Sequence, residues 1–199
     1  MKNITVIGDV HCKIEKYFDI VSKCENSIQV GDFGLQSEWD WLEKNVSLNH
    51  KVNMGNHDFI PYVNKAHSLG NWSFERGIFT VRGAHSIDWY KSTEGLDWFP
   101  NEELNYHETN VVFDNWELIK PKIVITHDCP ASIAEAFFGM PTTGINKQSF
   151  KSTTRELLQG LLEVHQPDIW LFGHHHKSKD EKINGTRFIC LAELETFEI

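Results

Sequence analysis

Short, mainly apolar runs alternate along the first half of the chain with longer stretches in which apolar residues recur every three or four positions. Residues 4–7 and 27–30 are runs of the first kind, and each ends at a Gly-Asp pair. Residues 13–24 place apolar side chains at helical spacing between those two runs. The pattern therefore predicts a strand, a helix and a second strand, which is the order found in a βαβ unit.

The same alternation continues to the end of the chain. Further strands are predicted at residues 51–54, 78–81, 122–126, 168–172, 188–191 and 196–199. A second helix is predicted to begin near Ser37, and the longest helical stretch covers residues 149–166 and ends before Pro167. Because no internal repeat, low-complexity tract or linker interrupts the pattern, we predict a single α/β domain over residues 1–199, with helices packed on β-sheets.

Two segments do not follow this alternation. Residues 84–104 contain four large aromatic residues among charged ones: Trp89, Tyr90, Trp98 and Phe99. These aromatic side chains either wall a ligand site, where they could stack on a nucleobase, or anchor a local hydrophobic cluster. Residues 138–148 contain Gly139 and Gly144, which permit hinge-like dihedral angles, and Lys147, which offers a cation. We therefore hypothesise that this second segment is a lid.

Composition and charge narrow the possible functions. The chain has 199 residues, of which 40% are hydrophobic and 24% charged, as in ordinary globular proteins. Its net charge of -9 and its four arginines argue against a long nucleic acid as partner, because such binding needs clustered Lys and Arg. No apolar run approaches a membrane span, and residues 4–7 are too short for a targeting core. We expect a cytoplasmic protein with no membrane partner.

Residues of the types that commonly bind metal ions follow the ends of the predicted strands. They are Asp9, His11, Asp32, Asn56, His127, His174 and His176. Ligands of open α/β sheets bind where the strands end at their carboxyl edge, so these side chains are expected to meet there. Carboxylate, imidazole and amide groups without thiolate suit Mn²⁺, Fe or Zn²⁺. Seven such groups exceed the needs of one tetrahedral ion, and a pair of ions can activate water for an in-line displacement.

These residues lie in motifs that resemble, in order, the motif series of the calcineurin-like metallophosphoesterases. The motifs are Gly8-Asp9-Val10-His11, Gly31-Asp32, Gly55-Asn56-His57-Asp58, His127 and Gly173-His174-His175-His176. The resemblance implies a two-sheet β-sandwich flanked by helices, the αββα arrangement. It also implies a phosphatase or phosphodiesterase that hydrolyses phosphate mono- or diesters by attack of a hydroxide bridging two divalent metal ions. Mn²⁺ is the first choice for these ions, with Fe, Zn²⁺ and Ni²⁺ as alternatives.

The resemblance also assigns a role to each site residue. The implied ligand sets are Asp9, His11 and His176 for the first metal, Asn56, His127 and His174 for the second, and Asp32 as the bridging carboxylate. His57 corresponds to a histidine that is not a ligand but contacts substrate and assists the leaving group, and Asp58 is expected to orient His57 or its loop. His85 and Arg82 are candidate substrate contacts. His175 is expected to point away from its two neighbours, because adjacent side chains on an extended segment face opposite sides.

The chain departs from the Ser/Thr protein phosphatases of this superfamily at their phosphate-binding arginines. Leu35 and Gln36 stand where those enzymes carry Asp and Arg, and Met54 stands in place of an Arg before the third motif. Such arginines hold the phosphate dianion through paired hydrogen bonds, and Arg82 or Arg155 could substitute for them. The substrate therefore stays open among a small phosphate ester, a nucleotide and a phosphoprotein, and so does the oligomeric state. A nuclease or nucleotide phosphodiesterase of the same fold, and a metal-binding scaffold, are the alternatives.

Overall fold

The computed structural model of the chain describes residues 3–87, 89–140 and 152–199. In chain order the strands and helices are β1 (Thr5–Ile7), α1 (Ile14–Val21), β2 (Ser27–Gln29), α2 (Gln36–Asn45), β3 (His50–Val52), β4 (Trp72–Glu75), β5 (Ile78–Val81), α3 (Tyr106–Ile119), β6 (Ile123–Thr126), α4 (Ala131–Phe138), α5 (Thr153–Val164), β7 (Ile169–Phe172), β8 (Lys179–Ile183), β9 (Thr186–Cys190) and β10 (Thr196–Glu198). Short 3₁₀ turns lie at Ile60–Tyr62 and Trp89–Lys91.

The strands form two sheets. The first has the order β10-β1-β2-β3, in which β1, β2 and β3 are parallel and β10 runs antiparallel to β1 at the edge. The second has the order β4-β5-β6-β7-β9-β8, with a parallel centre and an antiparallel strand at each edge. Parallel neighbours need a crossover between them, and a helix supplies it for every parallel pair except β7 and β9, which are joined through β8.

Three buried apolar clusters separate the layers of the fold. Alternate residues of one strand belong to different clusters: Val6 packs between the two sheets, whereas Ile7 packs in the cluster that contains α1 and α2 residues. In the second sheet, Leu171 faces the inter-sheet cluster and its neighbour Trp170 faces the cluster of α3, α4 and α5. Because both faces of each sheet are buried, β6 and β7 are apolar at nearly every position, whereas β2 buries a serine and a glutamine beside one isoleucine. The result is the expected sandwich of two sheets flanked by helices.

All eight predicted strands have a counterpart in the structure, but four further elements do not follow from the apolar pattern. These are the edge strands β4 and β8 and the helices α3 and α4. The helix predicted over residues 149–166 is observed as α5, from Thr153 to Val164. Of the proposed lid at residues 138–148, only residues 138–140 belong to the described part of the chain, so that hypothesis lies mostly outside it. Within the described ranges, no helix is long and apolar enough to cross a membrane.

Candidate active site

The carboxyl ends of β1, β2, β3, β6 and β7 bring the seven proposed metal ligands to one edge of the sandwich. Asp9, His11, Asp32 and His176 each offer a ligand atom, and these atoms lie within 4.8 Å of one another. The Nε2 atoms of His11 and His176 are 2.7 Å apart, and Nε2 of His176 is 3.3 Å from Oδ2 of Asp9. We call these four residues the first group.

A second group shares one carboxylate with the first. Asp32, His127 and His174 offer ligand atoms that also lie within 4.8 Å of one another. Nε2 of His127 is 3.2 Å from Oδ1 of Asp32 and 3.1 Å from Oδ1 of Asn56, so the amide oxygen of Asn56 faces the same point. The two groups therefore share Asp32, the residue for which the resemblance implies a bridging role.

The backbone at this edge is held in an unusual conformation. Four of the seven proposed ligands have positive φ angles although none is glycine: His11 at 45°, Asp32 at 56°, His174 at 64° and His176 at 52°. The left-handed region costs a residue with a side chain about 1–3 kcal/mol, and such residues cluster at functional sites. Their concentration here indicates that side-chain convergence, not local backbone preference, determines these loops.

Two glycines allow the loops to approach one another closely. A Cβ on Gly173 would lie 2.1 Å from Oδ1 of Asp9, and a Cβ on Gly55 would lie 2.2 Å from Oδ1 of Asp32. Any side chain at either position would displace a proposed ligand. The glycines that precede the histidine and asparagine motifs therefore serve close packing around the two carboxylates.

The charges at the centre favour a cation. Burial alone would raise the pKa of Asp32, but the attraction of His127 outweighs it and holds that pKa well below its usual range. Burial likewise opposes protonation of His127, yet Asp32 and Asp9 raise the pKa of His127 to about 10. Burial holds the pKa of His174 well below its usual value, which leaves a neutral imidazole with a free lone pair. Two buried carboxylates among several imidazoles are costly without a compensating charge, so the donor set fits a pair of divalent ions.

His57 lies beside the shared carboxylate. Its backbone N–H donates to Oδ1 of Asp32 at 2.8 Å, and its ring centroid is 6.0 Å from that of His11. The side chain lines a cavity of about 410 Å³ that also contains Asp32, Asn56 and His174. It lines the adjacent cleft beside His11 as well. His57 is therefore positioned to reach a substrate held at the two groups.

Asp58 is fully buried and holds two of the site's loops together. Its carboxylate accepts five hydrogen bonds, from the backbone amides of Asp32, Phe33, Gly34 and Gly55 and from the indole nitrogen of Trp39. Burial raises the pKa of Asp58 to about 6 despite these donors. Of the two roles expected for Asp58, the contacts support orientation of the loop.

Asn56 is oriented by residues that the sequence did not indicate. Its Nδ2 donates to Oγ of Ser86 at 2.9 Å, and that hydroxyl donates to Oε2 of the buried Glu102 at 2.6 Å. Oε1 of Glu102 also accepts from the backbone N–H of Ser86 at 2.8 Å. With its nitrogen held in this way, the amide of Asn56 turns its oxygen toward His127.

A buried ion pair supports the histidine loops from behind. Nη2 of Arg155 is 2.7 Å from Oδ2 of Asp128, and Nε2 of His175 is 3.3 Å from Oδ1 of the same carboxylate. The ring of His175 also stacks on Phe138 at 3.9 Å, so His175 turns toward this pair and not toward the ligand groups. Asp128 follows His127 in the chain, and His175 lies between two proposed ligands. The carboxylate of Asp128 thus links the two loops and is held by the guanidinium of Arg155, and no local sequence pattern indicates these contacts.

The two candidate substrate contacts have structural partners. Arg82 is buried, and its guanidinium donates to Oδ1 of Asn71 at 2.7 Å and to the carbonyls of Asn101 and Glu102, each at 3.1 Å. Nδ1 of His85 is 3.5 Å from Oε1 of Glu102, and this contact raises the pKa of His85. Among the described residues that line the 410 Å³ cavity, neither Arg82 nor His85 occurs. A substrate contact by either residue stays a prediction.

Cavity size alone does not identify the site. A larger cavity of about 840 Å³ lies at the opposite end of the sandwich, near Ile4 and Asn26 at the amino ends of β1 and β2. None of its described lining residues belongs to either ligand group. Convergence of metal-binding side chains, not volume, distinguishes the candidate active site.

Comparison with known proteins finds solved structures that share this fold. A structure of TT1561 from Thermus thermophilus covers 96% of this chain and 89% of its own at 14% identity, with a TM-score of 0.58. The phosphopantetheinyl hydrolase of Mycobacterium tuberculosis covers 96% and 90% at 12% identity, with a TM-score of 0.61. GAP50, described as the anchor in the inner membrane complex of Plasmodium, covers 96% and 71% at 14% identity, with a TM-score of 0.53.

At these identities the similar structures establish the fold alone. No match was found among curated proteins. The family model described as calcineurin-like phosphoesterase matches residues 2–178. Because that match extends over most of the sequence, the chain belongs to the calcineurin-like phosphoesterase family.

Proposed function

We propose that the chain is a metal-dependent hydrolase of phosphate mono- or diesters that uses two divalent metal ions. The ligand sets are Asp9, His11, Asp32 and His176 for one ion and Asp32, Asn56, His127 and His174 for the other. The observation that carries this proposal is the convergence of both groups on Asp32 at the carboxyl ends of the strands. Mn²⁺ is our first choice of ion, because the oxygen and nitrogen donors suit it.

Two divalent ions in this site would supply an activated water and positive charge for the phosphate oxygens. The protein's own residues do the rest. The hydrogen bond from the His57 amide and the loop held by Asp58 fix Asp32 between the two groups. The ring of His57 faces the cavity and gives a ring N–H proton, or a hydrogen bond, to the departing ester oxygen.

The alternatives receive less support. A nuclease for long substrates would need a basic surface, whereas this chain carries a net charge of -9. A scaffold that binds no metal would bury the carboxylates of Asp9 and Asp32 with protonated His127 as their main compensating charge. The fold does occur in GAP50, which is described as an anchor, so the scaffold remains the outcome to test against.

The test is hydrolysis of p-nitrophenyl phosphate beside bis-p-nitrophenyl phosphate, first with Mn²⁺ and then with EDTA. We expect turnover that EDTA abolishes, and the ratio of the two rates will separate a monoesterase from a diesterase. Failure to hydrolyse either ester, in a folded sample shown to contain metal, would favour the scaffold.

Substitution of Asp32 by Asn should remove the carboxylate shared by both groups. Changes in residues that only support ligands cost roughly 10–100-fold in affinity or activity, so loss of a shared ligand should exceed that range. The matched control is Asp19→Asn, which changes an exposed aspartate on α1. Metal content and turnover are both measured, and full activity of the Asp32 variant would refute the shared-ligand role.

Substitution of His57 by Ala should lower kcat by roughly 10²–10⁴-fold, the usual contribution of acid–base assistance. Metal content should stay at the wild-type value, because His57 is not among the proposed ligands. A His57→Ala protein that lost its metal instead would show that this histidine is a ligand.

A further inference from the structure

One wall of the cavity over the candidate active site is apolar and aromatic. Ile87, Tyr90 and Met140 line it beside the proposed ligands. Ile87 is 56% exposed and Tyr90 is 66% exposed, so the wall presents bare apolar surface to whatever enters the cavity. Exposed apolar surface that adjoins a polar site is typical of ligand-binding grooves.

The segment that carries this wall is anchored at its base. Ser86 is bound through both its amide and its hydroxyl to Glu102, and Phe99 is buried with its ring 5.5 Å from that of Phe59. The ring of Trp89 packs on that of Trp98 at 5.5 Å. The aromatic residues of the segment thus divide between those that hold it and Tyr90, which reaches the cavity.

The wall also carries a cation. Lys91 is the only Lys or Arg among the described residues that line this cavity, and its Nζ lies 5.4 Å from the centroid of the Tyr90 ring. Arg82 and Arg155 are buried, and their guanidinium groups are already bonded to protein partners. A substrate in this cavity therefore meets an aromatic face and one positive charge next to the proposed metal ligands.

We infer that Tyr90 stacks on an aromatic ring of the leaving group. The preferred substrates are then phosphate esters of alcohols that carry an aromatic ring, such as nucleosides. The inference rests on the proposed function. Lys91 keeps the rim of the cavity positive for the anionic ester. An aromatic ring stacks on another ring over its whole face, whereas an aliphatic alcohol offers Tyr90 only edge contacts.

The test compares adenosine 5'-monophosphate with ribose 5-phosphate, which has the same ester without the base. We expect wild-type kcat/KM to be roughly tenfold higher for the nucleotide, in line with the usual contribution of one base stacked on an aromatic side chain. Tyr90→Ala should abolish that preference by lowering kcat/KM for the nucleotide roughly tenfold, whereas Tyr90→Phe should keep it. Tyr106→Ala, at an exposed tyrosine on α3, is the matched control.

A binding measurement separates this inference from the proposed function. Adenosine carries no phosphate to hydrolyse, so calorimetric titration into metal-loaded protein reports the stacking contact whether or not turnover occurs. We expect adenosine to bind wild type and to bind Tyr90→Ala roughly tenfold more weakly, with ribose binding neither. Equal turnover of the two esters by wild type, or adenosine binding that survives in Tyr90→Ala, would overturn the inference.

Discussion

The two halves of the proposed metal centre differ in how deeply they are buried. The first group is open: the side chain of His176 is 46% exposed and that of His11 is 24% exposed. In the second group, His127 is fully buried and Asn56 almost so. The second group is also braced, since Ser86 and Glu102 orient Asn56 while Arg155 supports the loops through Asp128.

Because of this difference in burial, the proposed site would combine a firmly held ion with an accessible one. A buried side chain that binds a metal ion is hard to replace, because water cannot reach the coordination position that the side chain would leave. An exposed histidine can be replaced by a water molecule at little cost. We therefore expect the second group to hold its ion more tightly and the first group to exchange its ion with solvent.

The difference between the two halves is tested most directly by changing one histidine in each half. His127→Gln should weaken binding of the second ion by more than roughly 100-fold, because a buried ligand is lost and water cannot replace it. His176→Gln should weaken binding of the first ion by only about tenfold, since water fills an exposed position. The amounts of metal kept after dialysis against graded EDTA measure both effects.

An exposed histidine on α3 serves as the control for that pair. His107→Gln should leave both metal equivalents unchanged. If His176→Gln lost metal as readily as His127→Gln, burial would not distinguish the two halves.

Arg155 tests whether the bracing itself matters. Arg155→Met leaves the buried carboxylate of Asp128 without its cation, and breaking a buried pair in this way costs about 3–5 kcal/mol of stability. We also expect roughly 10–100-fold weaker metal binding at the second group, because His127 and His174 lose their support. Denaturant unfolding and metal titration measure the two effects separately.

The surface pair of Arg187 and Asp180 provides the matched comparison. Both side chains are exposed, so Arg187→Met should lower stability far less than Arg155→Met and should not alter metal binding. An Arg155→Met protein that unfolds more easily but binds metal as tightly as wild type would refute the bracing role.

The sequence indicated the proposed ligands because each signal is local. Asp9 and His11 directly follow a buried strand, and His174 and His176 follow another, so a strand end and a short motif are enough to find them. The supporting contacts have no local signal. Glu102 reaches Ser86 from 16 positions away, and Arg155 reaches Asp128 from 27 positions away.

The elements that the apolar pattern missed have physical reasons as well. β8 is an exposed edge strand whose sequence, KDEKI, carries almost no apolar side chains. Neither the helical nor the strand period of apolar residues can therefore be recognised in it. α3 had a readable signal: Asn105 and Glu108 form a capping box at its start, with Asn105 accepting from the amide of Glu108. The αββα architecture was predictable from the strand-end motifs, whereas the edges of its second sheet were not.

The smallest expected effect concerns pH and again separates the two halves. In the metal-free protein, Asp32 and Asp9 overcome burial and raise the pKa of His127 to about 10. Protonated His127 therefore stabilises the metal-free fold fully below the unfolded pKa of about 6.5, and that contribution is lost as pH rises through about 10. A cation that binds through His127 must displace this proton, so the binding should strengthen by up to about tenfold per pH unit in that window.

The rise in Tm on adding Mn²⁺ should then grow by about 3–5 °C per pH unit between about pH 6.5 and 8. Thermal melts of wild type and His127→Gln measure this slope, and an equal slope in both would show that the proton is displaced from the open half instead.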